Sequence, residues 1–165
     1  MKKLKTKLYI DKLNLDNYQF ILGVTNKGLA YFLKEDEIDL LDFELVYNND
    51  ITTIYKDSLV KYFKGELKEF NLPLDLIGTN FQKSVWQILL TIPYGKAISY
   101  SDVAIKLGDI KKVRAVANAI GKNNILVIVP CHRIIGKNKK LTGFSSGLDL
   151  KEYLLKLEGY NNYLL

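Results

Sequence analysis

Cysteine and histidine are each present once in this chain of 165 residues, as Cys131 and His132. A single cysteine excludes an internal disulfide and fits a reducing compartment, so the expected location is the cytoplasm. One cysteine with one histidine cannot make a Cys/His zinc site, and no metal is expected. Long hydrophobic runs are missing too. The longest, Ile125 to Val129, is strand-sized, so no membrane partner is expected. The basic start, Met1-Lys2-Lys3-Leu4-Lys5-Thr6-Lys7, leads into no signal-type apolar segment. No repeat or low-complexity tract stands out. What is present is a globular composition, 48% apolar with mean hydropathy near zero. The length suits one fair-sized domain or two small ones.

Charge divides unevenly. Residues 1–77 carry 11 lysines and 13 acids, a net of −2, and residues 78–165 carry 13 basic and 5 acidic residues, a net of +8. Both arginines, Arg114 and Arg133, lie in the second half. The asymmetry points to a polyanion partner for that half, against the plainer reading of a lysine-rich solubilising surface.

The pattern predicts an α/β (α+β) protein: a small N-terminal α/β domain over 1–77 and a mainly helical domain over 78–165. In the first, Tyr18–Thr25 and Leu29–Leu33 read as a hairpin around Asn26-Lys27-Gly28. Ile51–Phe63 reads as a helix ended by Gly65, and 67–76 as a further strand interrupted by Pro73. The acidic run Glu35-Asp36-Glu37, with Asp39 and Asp42, lacks the loop spacing of a calcium site and reads as a solvated face. In the second, Phe81, Val85, Leu89 and Ile92 recur at helical spacing up to Pro93 and Gly95. Ser99-Tyr100-Ser101-Asp102 offers a cap for a helix over 102–107, Gly108-Asp109 breaks it, and a helix over 111–120 ends at Gly121. Helix, glycine-containing turn and helix make a helix-turn-helix pattern. Arg114 with Ala115, Ala117 and Ala119 gives the second helix a small-residue face with basic entry from Lys111 and Lys112. Such a face suits close approach to a groove, or tight packing on a neighbouring helix.

Pro130-Cys131-His132-Arg133 follows the apolar run. A thiol needs a base or a positive field to become the reactive thiolate. In a strand, neighbours point to opposite faces, so adjacency alone does not bring imidazole to sulfur. The chain must bend after Pro130, or a water must bridge the two. A catalytic imidazole also needs an orienting carboxylate, and Glu158 is the candidate among the five acids of this half.

The run Pro130 to Ile135 resembles the active-site signature of the O6-alkylguanine-DNA alkyltransferases, the methylated-DNA–protein-cysteine methyltransferases. Collinear segments extend the resemblance: Gly78-Thr79, Phe81-Gln82, Val85-Trp86, Ile92-Pro93-Tyr94-Gly95, Ser99-Tyr100, Val113 to Ala117, Gly143-Phe144 and Gly147-Leu148. It covers residues 78–159, half the chain. The resemblance implies direct reversal of O6-alkylguanine, with O4-alkylthymine as a further substrate, in double-stranded DNA after the nucleotide is flipped into a pocket. Cys131 would take the alkyl group once and irreversibly, with His132 as base through a bridging water and Glu158 holding the imidazole. Tyr100 would rotate the nucleotide and donate to the base, and Asn123 would fix the backbone between recognition helix and cysteine. Arg114 would replace the extruded base, on a DNA face of Ala115, Ala117, Gly121, Lys111, Lys112 and Ser99. Ser145, Phe144, Ile134 and Lys151 would line the base pocket. No cofactor is implied, and a monomer is expected.

Three departures from the family pattern stand out: Phe144 where many relatives have tyrosine, Asn124 where proline is usual, and no zinc-binding cysteines in the first half. Other readings are a lesion binder without transfer, against which Cys131 argues, a helix-turn-helix regulator, and a cysteine hydrolase that turns over.

Overall fold

A computed structural model describes residues 4–165, so Met1, Lys2 and Lys3 of the basic start lie outside the described residues. The chain divides into two units, with the boundary between Leu76 and Ile77.

The first unit is a four-stranded sheet with one helix. Its strands are β1 (Thr6–Leu15), β2 (Tyr18–Thr25), β3 (Gly28–Lys34) and β4 (Phe43–Tyr47), in the order β3-β2-β1-β4, with β4 parallel to β1 and the other pairs antiparallel. Helix α1 (Asn49–Phe63) starts where the Asn48 side chain accepts from the amides of Asp50 and Ile51, which satisfies donors that have no partner within the helix. Alternation gives the sheet two apolar faces. Phe20 stacks on Phe32 and meets Phe63 of α1, while Leu8, Ile10 and Ile21 gather Tyr31, Ile38, Leu40 and Phe43 on the other face.

The hairpin and helix lie where the sequence places them; β1 and β4 do not appear in that reading. The strand expected over 67–76 is irregular apart from one bridge, Leu29 to Leu74. There Pro73 supplies only its carbonyl, to Leu29 N, because proline has no N–H for a ladder. Gly28 permits this contact: a Cβ on it would stand 2.5 Å from Pro73 O, and its φ is +149°. The acidic run forms a short 3-10 turn, Glu35–Glu37, with Glu35 paired to Lys12 at 2.7 Å.

The second unit is mainly helical. Helix α2 (Asn80–Leu89) carries a capping box between Thr79 and Gln82. The two-residue β5 (Ile98–Ser99) leads into α3 (Tyr100–Lys106), boxed by Ser99 and Asp102, so this helix begins at Tyr100 rather than Asp102. After Gly108 the residues Ile110–Lys112 form a 3-10 turn before α4 (Val113–Gly121). Helices α3 and α4 pack on each other and α2 packs on both. Trp86 of α2 is buried and donates from Nε1 to Ala119 O of α4 at 2.9 Å. The unit closes with β6 (Ile134–Ile135), parallel to β5, and α5 (Leu148–Leu157).

The largest departure from the sequence reading is at 125–129. The apolar run is buried but is not a strand: it coils through turns, with Val127 at φ +72°. Local bonds from Ile128 N to Leu126 O and from Val129 N to Ile125 O replace a ladder. Asn123 Nδ2 donates to Ile125 O and Val129 O, and its Oδ1 accepts from Ile125 N. One side-chain amide thus does the work of a neighbouring strand. Cys131, His132 and Arg133 likewise sit on a 3-10 turn, so the alternating-face argument does not apply to them. The chain bends at Pro130.

Candidate active site

The 3-10 turn that follows Pro130 gathers a thiol, an imidazole and a guanidinium, all buried. Cys131 Sγ lies 3.1 Å from Asn123 Nδ2, which donates to it. Burial pushes the thiol pKa up to about 11, against the opposing pull of the Asn123 hydrogen bond and the Lys151 charge. The resting group at neutral pH is therefore the thiol, and chemistry at sulfur requires a base.

His132 is that group's neighbour in the chain. Its Nε2 is 2.7 Å from Glu158 Oε2, with both side chains fully buried. Nδ1 is buried and has no hydrogen-bond partner among the described residues. Burial lowers the imidazole pKa; Glu158 raises it, and the charges of Arg133 and Lys151 lower it further. The net direction is down, which leaves the ring neutral at pH 7. A carboxylate facing Nε2 accepts its proton in a hydrogen bond, so Nδ1 is the basic nitrogen.

Glu158, which caps the end of α5, is desolvated, yet hydrogen bonds and charge from His132 and Arg133 hold its carboxyl well below the usual range. Arg133 Nε donates to Oε1 at 2.8 Å and Nη2 to Oε2 at 3.0 Å, and Gly95 N donates to Oε1 at 3.1 Å. Arg133 is a residue to which the sequence reading gave no role in the site. Its signal was visible: it is one of two arginines in a lysine-rich chain, beside the Cys-His pair.

A second cluster lies on the loop between β6 and α5. Tyr100 OH is 2.9 Å from Thr142 O and 3.2 Å from Gly143 O, and Lys151 Nζ donates to Thr142 O at 3.1 Å. The Lys151 ammonium is 5.8 Å from the ring centroids of both Tyr100 and Phe144, a cation–π distance. Burial lowers the Lys151 pKa to about 8, and raises that of Tyr100. Ile134 is buried beside the cysteine turn, whereas Ser145 is exposed on the loop. The sequence reading gave no role to Thr142, whose carbonyl takes both the tyrosine and the lysine.

On α4, Arg114 and Ala115 are exposed and Ala117 is half-buried, while Val116, Ala119 and Ile120 face the core. Gly121 at the helix end and Lys111 at its entry are exposed. Lys112 Nζ stands 5.9 Å from the Phe81 ring centroid. Ser99 is engaged as the α3 cap, accepting from Asp102 N. At Asn124, where the family pattern has proline, the side chain donates to Ile77 O at 3.1 Å.

Three comparisons bear on this geometry. The family model of the 6-O-methylguanine DNA methyltransferase DNA-binding domain matches residues 80–160. A methylated-DNA–protein-cysteine methyltransferase of Methanosarcina mazei is 44% identical over 146 residues, 87% of this chain and 92% of its own. The inducible one of Bacillus subtilis is 38% identical over 164 residues, 93% of this chain and 92% of its own. Among solved structures, Mycobacterium tuberculosis OGT in complex with DNA superposes with a TM-score of 0.84 at 37% identity, over 91% of this chain and 92% of its own.

Proposed function

The chain belongs to the methylated-DNA–protein-cysteine methyltransferase family, and from that premise we propose that Cys131 accepts an alkyl group from O6-alkylguanine, and from O4-alkylthymine, in double-stranded DNA. His132 takes the thiol proton at Nδ1 through one water, and the thiolate attacks the alkyl carbon in line with the C–O bond. The S–C bond forms as the C–O bond breaks, and the electron pair leaves on the base oxygen. Tyr100 gives its hydroxyl proton to the departing base and recovers one through water from the His132 imidazolium, so the thiol proton ends on the base and both side chains return to their starting states. The thioether has no leaving group, so each molecule acts once. Nothing in this sequence of bonds calls for a cofactor or a metal.

The observation that carries the reading is the 2.7 Å bond between His132 and Glu158 beside a buried thiol. An acidic thiol would need no base; this one, pushed up to about 11, does.

Delivery of the base is assigned to α4. Arg114 enters the stack as the nucleotide leaves it, Ala115, Ala117 and Gly121 let the helix approach the groove, and Lys111 and Lys112 with the α3 start at Ser99 meet phosphates. Phe144, Ile134, Lys151 and the Ser145 backbone receive the flipped base. Phe144 offers a stacking face without a hydroxyl. We place the protein in the cytoplasm as a monomer.

The test is mass spectrometry after incubation with duplex DNA holding O6-methylguanine. One methyl group on the Cys131 peptide, in a one-to-one yield with repaired base, is expected. An unmodified peptide after full exposure overturns the reading, and repeated turnover would point to a hydrolase. Cys131→Ala is expected to bind the lesion and leave it unrepaired.

A further inference from the structure

Transfer to Cys131 leaves two features without a role: the buried Arg133 and the segment Ile92-Pro93-Tyr94-Gly95. The structure joins them around one carboxylate. Arg133 spends Nε and Nη2 on the two oxygens of Glu158 and Nη1 on Ile92 O, at 2.6 Å. Its guanidinium lies 5.8 Å from the Tyr94 ring centroid, and Tyr94 OH donates to Leu157 O at 3.2 Å. Gly95 N adds a bond to Glu158 Oε1. The carboxylate is therefore gripped from the 92–95 turn and from the cysteine turn together. It sits at the end of α5, where a free side chain would rotate.

The chemistry of that grip is specific. A forked guanidinium matches both oxygens of a carboxylate in one plane, which a lysine ammonium does not. An oxygen already holding an arginine N–H stays ionised, so toward His132 it can only accept. His132 Nε2 must then donate. The imidazole is further held from gaining a second proton by three things that face it: its burial, the charge of Arg133 on the same turn, and the charge of Lys151 on α5. Glu158 alone pulls the other way.

We propose that Arg133 is a positioning residue for alkyl transfer, acting through Glu158: its fork keeps the carboxylate ionised and oriented, so that His132 holds its proton on Nε2 and keeps Nδ1 basic. Without the fork, the carboxylate–imidazole pair binds an extra proton at higher pH, and an imidazolium is no base. What the base is for rests on the transfer reading above. The state of the imidazole does not.

Because His132 is the only histidine, 15N NMR of the labelled protein reads one imidazole without assignment. The wild-type ring is expected to be neutral with its proton on Nε2 at neutral pH, and to titrate well below an ordinary histidine. In Arg133→Met it should titrate at higher pH. The acidic limb of the transfer rate should move up with it, and the rate at neutral pH should fall about tenfold or more, with DNA affinity unchanged. Arg133→Lys, which keeps charge and loses the fork, should lie between the two. A wild-type ring protonated on Nδ1, or charged at neutral pH, overturns the proposal without any variant. So does a folded Arg133→Met or Arg133→Lys whose imidazole titration and pH profile stay in place while only stability drops. If Arg133→Met does not fold, Arg133→Lys and the wild-type spectrum decide. A wild-type protein with the expected imidazole but no alkylated Cys131 would defeat the transfer reading and leave this one standing.

Discussion

Lys151 is a residue whose cost and use can be separated. Its side chain is fully buried and its pKa falls from 10.5 to about 8 by desolvation, so the unfolded chain holds that proton more tightly. For a base lowered on folding, the penalty is complete below about pH 8 and is relieved as pH rises toward 10.5. A shift of this size corresponds to about 3 kcal/mol of destabilisation at neutral pH. What the cost supports is a positive charge that favours the Cys131 thiolate and that bonds Thr142 O. Lys151→Met keeps the length and the packing. It should stabilise the protein by about 1–3 kcal/mol at pH 7 in urea unfolding followed by Trp86 fluorescence. That gain should shrink between pH 8 and 10.5, and iodoacetamide should alkylate Cys131 more slowly than in wild type. A variant less stable at pH 7 and equally reactive would show that the ammonium serves neither end. Of this site, the residue types were legible and their arrangement was not. Cys131, His132 and Glu158 could be named from chemistry and resemblance. The arginine fork on Glu158 and the shared Thr142 carbonyl could not, because each depends on groups brought together from distant segments.

Elements were legible where local chemistry sets them. The cap at Ser99, the breaks at Gly108 and Gly121 and the α1 periodicity all carry their own signals. Strand β1 did not, because its buried residues are split between the two faces, Leu8 and Ile10 on one and Leu13 on the other, with Lys7, Asp11 and Lys12 among them, so no single-face alternation shows. The run at 125–129 misled for the opposite reason: five apolar residues look like a strand, and a single Asn123 amide supplies the bonds that permit a coil. Gly78 is legible only through packing. Its φ is not in the left-handed region, yet a Cβ there would stand 2.6 Å from Trp86 Cη2 and 2.7 Å from Gln82 Oε1. The glycine lets the chain enter α2 directly over the indole, whose Nε1 in turn holds Ala119 of α4. Gly78→Ala must therefore shift the ring or the helix start. It should cost about 1–3 kcal/mol, visible as a lower urea midpoint and a changed Trp86 emission maximum. Unchanged emission and midpoint would mean that the α2 entry does not lock the indole, and through it α4.

At the scale of the molecule, the chain separates its charges. The first unit is net −2 and the second +8, and the exposed cations at the α4 entry, Lys111, Lys112 and Arg114, belong to the second. A repair protein must inspect any sequence, so most of its affinity should come from phosphates, through counterion release rather than base contacts. Each neutralised phosphate contributes about −0.9 to the slope of log K against log salt concentration. With Lys122, exposed at the far end of α4, counted beside Lys111 and Lys112, roughly three phosphate contacts predict a slope near −3 for undamaged duplex. Replacing Lys111 and Lys112 together by alanine should flatten that slope by about two and weaken lesion-containing and plain DNA by the same factor, as read by fluorescence anisotropy. Arg114→Ala should differ in kind, lowering the rate of transfer from duplex far more than transfer from a free alkylated base, which needs no extrusion. A flat salt dependence would remove α4 as the electrostatic face. Equal losses on duplex and free base would remove Arg114 from the flipping step while leaving the Cys131 chemistry intact.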